Sequence, residues 1–291
     1  MARKTSPTPP SVYRRQLSSR LKELRAEIGL TLTEVCAVVE VSQGSLSRIE
    51  NGDRGTTPLL AKALLDCYGI TDPAAREDIL DLVRADAAQR QPWWKKYSAV
   101  INTTKYGGYL TLEASAVSLR TYESLLIPGL LQTEDHARQV ITSMRFDLRP
   151  DQIEALVKVR MGRRRLLEGD DSVELWAVID EAALHRIDDP ATLRGQLEHL
   201  LEAMSQPNIT VQLLPFSAGF HPGLDGPFVI MDFAKPNPGV VWMENGPNSV
   251  YFEGADELYH YSRVFDHLRA LALGPPETHA RLAKMLKESR T

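Results

Sequence analysis

The sequence has few of the features that mark secreted, membrane-spanning or redox-active proteins. It contains only two cysteines, Cys36 and Cys67, and no C-x-x-C pair. We interpret both thiols as reduced core residues of a cytoplasmic protein, because disulfides are rare inside cells. No apolar run approaches the roughly 20 residues of a membrane span, and no apolar segment follows the basic N-terminus as in a secretory signal. We therefore expect a globular protein that has no membrane partner.

Signatures of nucleotide binding and of hydrolytic catalysis are also missing. The chain contains no GxGxxG, GxxxxGK[ST], HExxH or GxSxG sequence. Glu181 and His185 are four residues apart on a predicted helix, which gives too few ligands for a metal, and we interpret them as a surface pair. We expect no catalytic residues, no metal and no cofactor, and hence no enzyme.

Negative charge dominates the chain as a whole but not its first part. The formal net charge is -4, which argues against a protein that coats DNA without sequence preference. Residues 1–70 contain ten basic and seven acidic side chains, so their net charge is +3 and the remainder carries −7. A basic N-terminal part on an acidic remainder suits contact with DNA at one end, although chance produces differences of this size as well.

Apolar residues recur at helical spacing through residues 12–88, which predicts an all-α head of five helices. A Pro-rich, disordered arm is predicted before it, at residues 1–11. The first helix ends at Gly29, and Pro58 and Pro73 begin the fourth and fifth helices.

Two short helices joined by a tight turn are predicted in the segment TLTEVCAVVEVSQGSLSRIENG. Thr31 and Glu34 form a capping box at the start of the second helix, Val38 is predicted to face the core, and Ser42 caps the third helix. Glu40 lies in the turn, either with a strained positive φ or in a turn that does not need one. A helix-turn-helix places such a third helix in the major groove of DNA.

The exposed face of the third helix is predicted to contact DNA. Gln43 and Arg48 can pair bidentately with adenine and guanine, and Gly44 allows close approach to the backbone or to a thymine methyl group. The predicted DNA-binding set is Thr31, Ser42, Gln43, Gly44, Ser45, Ser47, Arg48 and Asn51, of which Ser45 and Asn51 suit phosphate contacts. In the alternative interpretation Gln43 and Arg48 are merely solvated surface.

The head resembles the lambda-repressor-like (XRE-type) helix-turn-helix domain over residues 13–83. The resemblance is carried by Leu30-Thr31, Val41-Ser42 and Ser47-Arg48-Ile49-Glu50-Asn51-Gly52. It implies that Gln43, Gly44 and Arg48 read bases and that Asn51 meets a phosphate. Two positions depart from the pattern: Leu32 replaces a phosphate-contacting Gln that is common there, and Glu40 replaces a turn Gly.

The remainder mixes helices and strands, which predicts an α+β domain at residues 111–291 after a linker at residues 89–110. Its sheet is predicted to be mostly antiparallel or mixed and to be flanked by helices. Helices are predicted at 137–144, 152–167, 181–187, 193–204, 256–271 and 277–288, and strands at 173–179, 209–214, 228–233, 240–244 and 249–252. Short connections predict that neighbouring late strands are antiparallel.

Several stretches of this domain are candidates for binding. A ligand or partner pocket is predicted around Trp176, Phe216, His221 and Trp242, which are equally suited to a core. The apolar stretch at residues 126–133 is broken by Pro and Gly and forms either a packed loop or a groove. The basic run at residues 163–165 could contact phosphate, but on one face of an amphipathic helix in an acidic domain it is predicted to pair with carboxylates or with a protein partner.

Six short segments of the same domain form a recognisable pattern. They are Trp93-Trp94, Leu112-Glu113-Ala114, Pro128-Gly129-Leu130-Leu131-Gln132-Thr133, Asp180-Glu181-Ala182-Ala183-Leu184, Gln196-Leu197 and Leu213-Leu214-Pro215-Phe216. In these segments the chain resembles, over residues 93–286, the C-terminal domain of WhiJ-like, antitoxin-like actinobacterial regulators. His136 departs from the pattern, which has Tyr there. The resemblance implies a regulator whose gene commonly lies beside one for a very small partner protein, and it implies no enzymatic activity.

These observations predict a sequence-specific DNA-binding transcriptional regulator that binds double-stranded operator DNA. We expect an antitoxin-like homodimer in the cytoplasm, associated with the nucleoid when bound to DNA, whose C-terminal domain mediates dimerisation and binds a small protein encoded by an adjacent gene. The alternative is a small-molecule-sensing regulator with a ligand pocket in that domain.

Overall fold

The computed structural model describes residues 11–89, 93–101, 106–234, 237–244 and 249–289. The predicted arm at residues 1–11 therefore lies outside the described residues except for Ser11, and so does part of the predicted linker. The chain forms two compact units, which are described separately below. The N-terminal unit contains the first five helices, and the C-terminal unit contains the sheet.

Five helices make up the described part of the N-terminal unit up to residue 89, as predicted. They are α1 (Val12–Glu27), α2 (Leu32–Val39), α3 (Gln43–Glu50), α4 (Pro58–Cys67) and α5 (Pro73–Gln89). Thr57 caps α4 by accepting a hydrogen bond from the amide of Leu60, and Pro58 begins the helix. The boundaries are set by these local signals, which is why the sequence predicts them well.

The core of this unit is formed by apolar residues at helical spacing on all five helices. Its fully buried members include Leu17, Leu21, Leu46 and Leu64, and the free thiols Cys36 and Cys67 pack against it. The prediction for Val38 was wrong: its exposed fraction is 65%. The apolar face of the short α2 is filled by Val35, with Leu32, Cys36 and Val39 partly buried beside it, and Val38 points outward.

An ion pair inside the unit joins α1 to α3. Arg25 donates from Nε to Glu50 Oε1 at 2.7 Å and from Nη2 to Glu50 Oε2 at 2.8 Å. Its Nη1 donates to the carbonyl oxygen of Leu30 at 2.8 Å, just before α2. The side chain of Glu50 is 3% exposed, so its charge depends on this bidentate partner. One guanidinium thus fixes α3 against α1 and the entry to α2.

A six-stranded mixed sheet is the centre of the C-terminal unit, which confirms the predicted fold class. Its strands are β1 (Ser118–Glu123), β2 (Glu174–Asp180), β3 (Ile209–Leu214), β4 (Phe228–Asp232), β5 (Val240–Met243) and β6 (Val250–Phe252). The order across the sheet is β3-β2-β1-β4-β5-β6. The pairs β1–β2 and β2–β3 are parallel, whereas β1–β4, β4–β5 and β5–β6 are antiparallel, as predicted for the late strands.

The strand β1 was not predicted from the sequence, although it is paired on both sides. Leu119 lies opposite Leu175 of the parallel β2 and opposite Met231 of the antiparallel β4. The strand reads SLRTYE, which has no apolar run and no Gly or Pro at its ends. Its polar residues are tolerated because tertiary partners satisfy them: Arg120 Nη2, for example, donates to Asp232 Oδ2 at 3.1 Å.

The remaining helices precede, connect and follow the strands, and residues 110–115 are grouped with the N-terminal unit. They are α6 (Ser98–Ile101), α7 (Tyr106–Glu113), α8 (Glu134–Met144), α9 (Pro150–Gly162), α10 (Glu181–His185), α11 (Pro190–Ala203), α12 (Ala255–Leu271) and α13 (Pro275–Glu288). The helix predicted over residues 152–167 instead leaves α-helical geometry at Gly162 and continues as a 3-10 helix, Arg163–Leu167. No helix among the described residues is long and apolar enough to cross a membrane.

The two faces of the sheet bury different side chains, because successive residues of a strand point to opposite sides. One face forms an apolar core with α12, in which Tyr122, Val178 and Val241 pack against Phe265 and Leu268. The neighbours of these strand residues in sequence therefore point to the other face.

Replacement of Arg25 by Met should lower the free energy of unfolding by about 3 kcal/mol, because Glu50 would remain buried without its partner. Urea denaturation of the full chain measures this change. The matched control is Arg20→Met on the same helix, whose ion pairs with Glu23 and Glu27 are exposed and whose loss should cost less than about 0.5 kcal/mol. Equal effects of the two substitutions would contradict the structural role of the buried pair.

Candidate functional site

The third helix has one buried and one exposed side, and the exposed side carries most of the predicted DNA-binding residues. Leu46 and Ile49 are buried anchors in the core. Residues Gln43, Gly44, Arg48 and Asn51 are exposed, and Ser47 is half-buried on the same side. Positions 43, 47 and 51 are one helical turn apart, as are 44 and 48, so they form one continuous strip. Helix packing therefore presents this strip to the outside.

The turn before α3 sets the direction of this strip. Glu40 has φ 53°, in the left-handed region, so the first of the two alternatives for this turn is the one found. Ser42 then accepts a hydrogen bond from the amide of Ser45 and caps α3. Thr31 and Glu34 form the predicted capping box of α2, with the amide of Thr31 donating to Glu34 Oε2 at 2.8 Å.

One residue differs from its predicted position, and one exposed residue near the strip had not been predicted. Ser45 is buried, and its Oγ accepts a hydrogen bond from Arg54 Nη1 at 2.8 Å, so it does not belong to the exposed strip. Arg54, which the sequence analysis missed, is itself exposed directly after α3. Leu32 packs partly against the core, so its position supplies no polar group next to the strip. The only sequence signal for Arg54 was its positive charge beside the SRIENG run.

Arg48 differs from most arginines of the N-terminal unit in its surroundings. Arg14, Arg20, Arg25, Arg76 and Arg84 all pair with carboxylates. Among the described residues, no carboxylate lies within ion-pair distance of Arg48. A guanidinium that is exposed, always charged and without a carboxylate partner in the unit can bind an external acceptor at low cost.

A cavity of about 260 Å³ lies on the face of the sheet opposite α12. The sheet supplies alternate residues of its strands: Leu119, Thr121 and Glu123 of β1, Leu175 of β2, Val229 of β4 and Trp242 of β5. Val140 and Met144 of α8 and the stretch at residues 124–130 form much of the remaining wall. The stretch that was predicted to be either a packed loop or a groove is both, since Leu130 is buried and also lines the cavity.

One end of the cavity is charged. Arg160 and Arg163 line it together with Glu123 and Glu244. Arg163 is only 5% exposed, and it donates from Nη1 to the hydroxyl of Tyr106 at 2.8 Å and from Nη2 to that of Tyr109 at 3.3 Å. The charge of this arginine also acts on the carboxylates of Glu123 and Glu244, and the pairing of the basic run at residues 163–165 with carboxylates or with a protein partner stays a prediction.

Gln132 holds the second arginine of this end. Its Oε1 accepts a hydrogen bond from Arg160 Nη1 at 2.7 Å, while its Nε2 donates to the carbonyl oxygen of Ile127 at 2.9 Å. Gly129 makes room for both guanidinium groups, because a Cβ atom there would lie 2.8 Å from Arg163 Nη1 and 3.3 Å from Arg160 Nη1. The Pro-Gly break in the sequence thus has a steric role at the cavity.

The titration of the acidic side chains is shifted by this environment. Desolvation raises the pKa of Glu123 to about 8, and the negative charge of Glu244 adds to this effect. The pKa of Glu244 is also raised, mainly by desolvation. His136 is buried, and its pKa is lowered to about 4 by burial and by the charge of Arg160. Glu123 is consequently protonated to a large extent at neutral pH.

The four residues predicted to form a pocket do not lie together. Only Trp242 lines the cavity. Trp176 is on the opposite face of the sheet, where its ring packs edge-on against Phe265. Phe216 is 60% exposed, and the His221 side chain is buried with Nε2 3.7 Å from Asp180 Oδ2. Sequence spacing did not reveal which strand face each ring would occupy.

Glu181 and His185 form the predicted i,i+4 pair, with His185 Nε2 3.9 Å from Glu181 Oε1, but the carboxylate does not lie at the surface. Glu181 is 4% exposed, and its Oε1 accepts a hydrogen bond from Arg281 Nη2 at 2.5 Å. Its Oε2 accepts another from the amide of Phe216 at 3.1 Å. This carboxylate therefore joins α10 to α13 and to the end of β3.

Comparison with known protein families assigns a class to each part of the chain. The family model described as "Helix-turn-helix domain" matches residues 16–79. The geometry of α2 and α3 is that of such a domain. The N-terminal unit is therefore that of a DNA-binding regulator. "Domain of unknown function (DUF5753)" matches residues 106–284. This is more than half of the chain, and the chain belongs to that family. No curated protein and no solved structure matches it.

Replacement of Gly44 by Ala should stabilise the N-terminal unit by about 0.5 kcal/mol, because Ala restricts the unfolded chain and favours the helix. Nothing lies within 4 Å of the Cβ position, and the residue does not need a positive φ. Urea denaturation measures the change, and Gly69→Ala is the control. Gly69 has φ +71°, so the same substitution there should be destabilising. A loss of stability in Gly44→Ala would show that the site is more crowded than described.

Replacement of Glu123 by Gln should change the pH dependence of stability. Between the unfolded pKa of about 4.3 and the folded pKa of about 8, Glu123 is protonated in the folded state and ionised in the unfolded state. Its contribution to the free energy of unfolding therefore falls as pH rises. The Gln side chain does not titrate. The unfolding temperature of the variant minus that of the wild type should therefore increase from pH 5.5 to pH 8. The control is Glu174→Gln at the exposed start of β2, and a flat difference for Glu123→Gln would refute the shifted pKa.

Proposed function

We propose that the protein is a sequence-specific transcriptional regulator of the XRE type whose α3 reads bases in the major groove. The observation that carries this proposal is the continuous exposed strip on α3, which contains Gln43, Gly44, Ser47 and Arg48. Gln43 suits a bidentate contact with adenine and Arg48 one with guanine. Arg48 supports this role because it has no carboxylate partner among the described residues.

Groups around the strip suit contacts with the DNA backbone. The start of α3 presents amide groups and the positive end of the helix dipole, which attract phosphate. Asn51 and Thr31 are exposed polar side chains, and Arg54 adds a positive charge directly after α3. Because Gly44 has no side chain and Leu32 is partly packed, few side chains per head read bases. We infer that a homodimer reads two half-sites about one helical turn apart to gain sufficient selectivity.

For the C-terminal domain we propose an antitoxin-like role in the cytoplasm, in which it mediates dimerisation and binds a small protein encoded by an adjacent gene. This part rests on the resemblance to WhiJ-like regulators carried by segments such as Pro128–Thr133 and Asp180–Leu184. Co-purification from the native host at low and high salt tests it. Recovery of the small protein encoded by the adjacent gene would support the antitoxin-like role, and its consistent absence would refute that role.

The second candidate function is small-molecule sensing, and the cavity favours it. The cavity is lined by apolar side chains and a few converging polar groups, which is the usual composition of a ligand site. A ligand would regulate DNA binding only if it bound one conformation of the protein more tightly than the other.

Replacement of Arg48 by Ala should weaken binding to the selected operator by about 1–3 kcal/mol and relax preference at one base pair. Fluorescence anisotropy at fixed salt, with an operator selected from random DNA, measures both effects. The control is Arg84→Ala, which removes the same charge from α5, where Arg84 pairs with Asp81. If both variants lose the same affinity without any change in base preference, Arg48 contributes charge alone and does not read a base.

A further inference from the structure

The cavity opposite α12 has an apolar part and a charged end, and the charged end has an excess of positive charge. Two guanidinium groups, those of Arg160 and Arg163, face it and keep their charge at all physiological pH values. In the part of the chain that the structure describes, the acidic groups that face it are Glu123 and Glu244. Glu123 holds its proton to a large extent at neutral pH. At the charged end of the cavity, the positive charges of the side chains therefore exceed the negative charges by one.

Arg160 also has an unused hydrogen-bond donor at this end. Its Nη1 is bound to Gln132 Oε1 at 2.7 Å. Its Nε is buried, and no acceptor among the described residues lies within hydrogen-bonding distance of it. Buried donors in folded proteins nearly always have a partner. The acceptors among the described residues therefore do not saturate the guanidinium group of Arg160.

The positions of the two guanidinium groups are built into the structure. The hydroxyls of Tyr106 and Tyr109 accept hydrogen bonds from Arg163, and the ring of Tyr109 lies 5.2 Å from its guanidinium carbon. Gln132, which is 1% exposed, fixes Arg160. The missing Cβ of Gly129 admits both groups. Preorganised guanidinium groups bind a carboxylate with little loss of side-chain entropy.

The rest of the cavity suits an apolar body. Leu119, Leu175 and Val229 of the sheet line it together with Val140 and Met144 of α8, and Trp242 adds an aromatic surface. Met144 and Leu125 are 57% and 48% exposed, which places apolar side chains of the lining at the surface. A cavity of about 260 Å³ fits a small molecule and not a folded partner.

We propose that this cavity binds a small organic carboxylate with an apolar body, whose carboxylate group is held by Arg160 and Arg163. The inference rests on small-molecule sensing, the second function proposed above, and names the chemical class of its ligand. A carboxylate supplies the one missing negative charge, whereas a phosphate dianion would bring excess negative charge next to Glu244.

The first test compares four probes on the full-length wild-type chain by isothermal titration calorimetry: phenylbutyrate, phenylbutyramide, phenylbutylamine and acetate. The first three share a body and differ in charge, and acetate lacks the apolar body. Phenylbutyrate should bind at least about tenfold more tightly than the amide, since hydrogen bonds to charged groups are the stronger ones. The amine and acetate should not bind at millimolar concentration. Binding of the amide as tight as that of the carboxylate, or no binding of phenylbutyrate, overturns the proposal.

The second test removes one guanidinium. Arg160→Met keeps an unbranched apolar stem but removes the guanidinium group, and it should reduce the preference for the carboxylate over the amide to within about twofold. The control is Lys158→Met on the same helix, which removes one positive charge from an exposed position. An unchanged preference in Arg160→Met, or an equal loss in Lys158→Met, contradicts the assigned site. The wild-type probe series decides the question even if Arg160→Met does not fold.

A third measurement separates this inference from the proposed functions. Anisotropy with the selected operator is repeated with and without phenylbutyrate. If phenylbutyrate binds but the affinity for the operator stays unchanged, the proposed ligand site is supported and the proposed sensing function is refuted. If the protein binds the operator but binds no carboxylate, the proposed ligand site is refuted and the proposed DNA reading by α3 is unaffected.

Discussion

The alternation of side chains along β1 is the constraint on which the C-terminal unit depends. This strand pairs with β2 on one side and with β4 on the other. Its Tyr122 fills the core under α12, while Thr121 and Glu123 line the cavity on the opposite face. A shift of one residue would exchange these two sets and bury charge in the apolar core. The cavity therefore exists because the register of this strand is fixed by both neighbours.

The N-terminal unit depends in a similar way on one buried contact. Glu50 belongs to the buried side of α3, and Arg25 ties it to α1 and to the carbonyl oxygen of Leu30. With that side fixed, the rotation of α3 about its axis is fixed as well, and Gln43 and Arg48 face outward. The geometry of the exposed strip is thus a consequence of a charge pair on its opposite side.

Most of the head could be predicted from sequence because its signals are local. Caps such as Thr31 and Ser42 act within a few residues, and apolar spacing over one helix marks its buried side. The same reasoning failed where burial depends on what lies outside the residue's own helix. Ser45 was assigned to the exposed side although Arg54 binds it, and Val38 was assigned to the core although a short helix leaves it outside.

The sequence by itself determined the helices of the head, the late antiparallel strands and the importance of the Pro-Gly stretch near Gly129. Only the tertiary structure decided that β1 is a strand, because its polar residues are satisfied by partners such as Asp232, 112 positions away from Arg120. It also decided that Trp242 lines the cavity while Trp176 lies on the other face. Which face a strand residue occupies depends on pairing and on the layers that cover the sheet, and neither is encoded by local spacing.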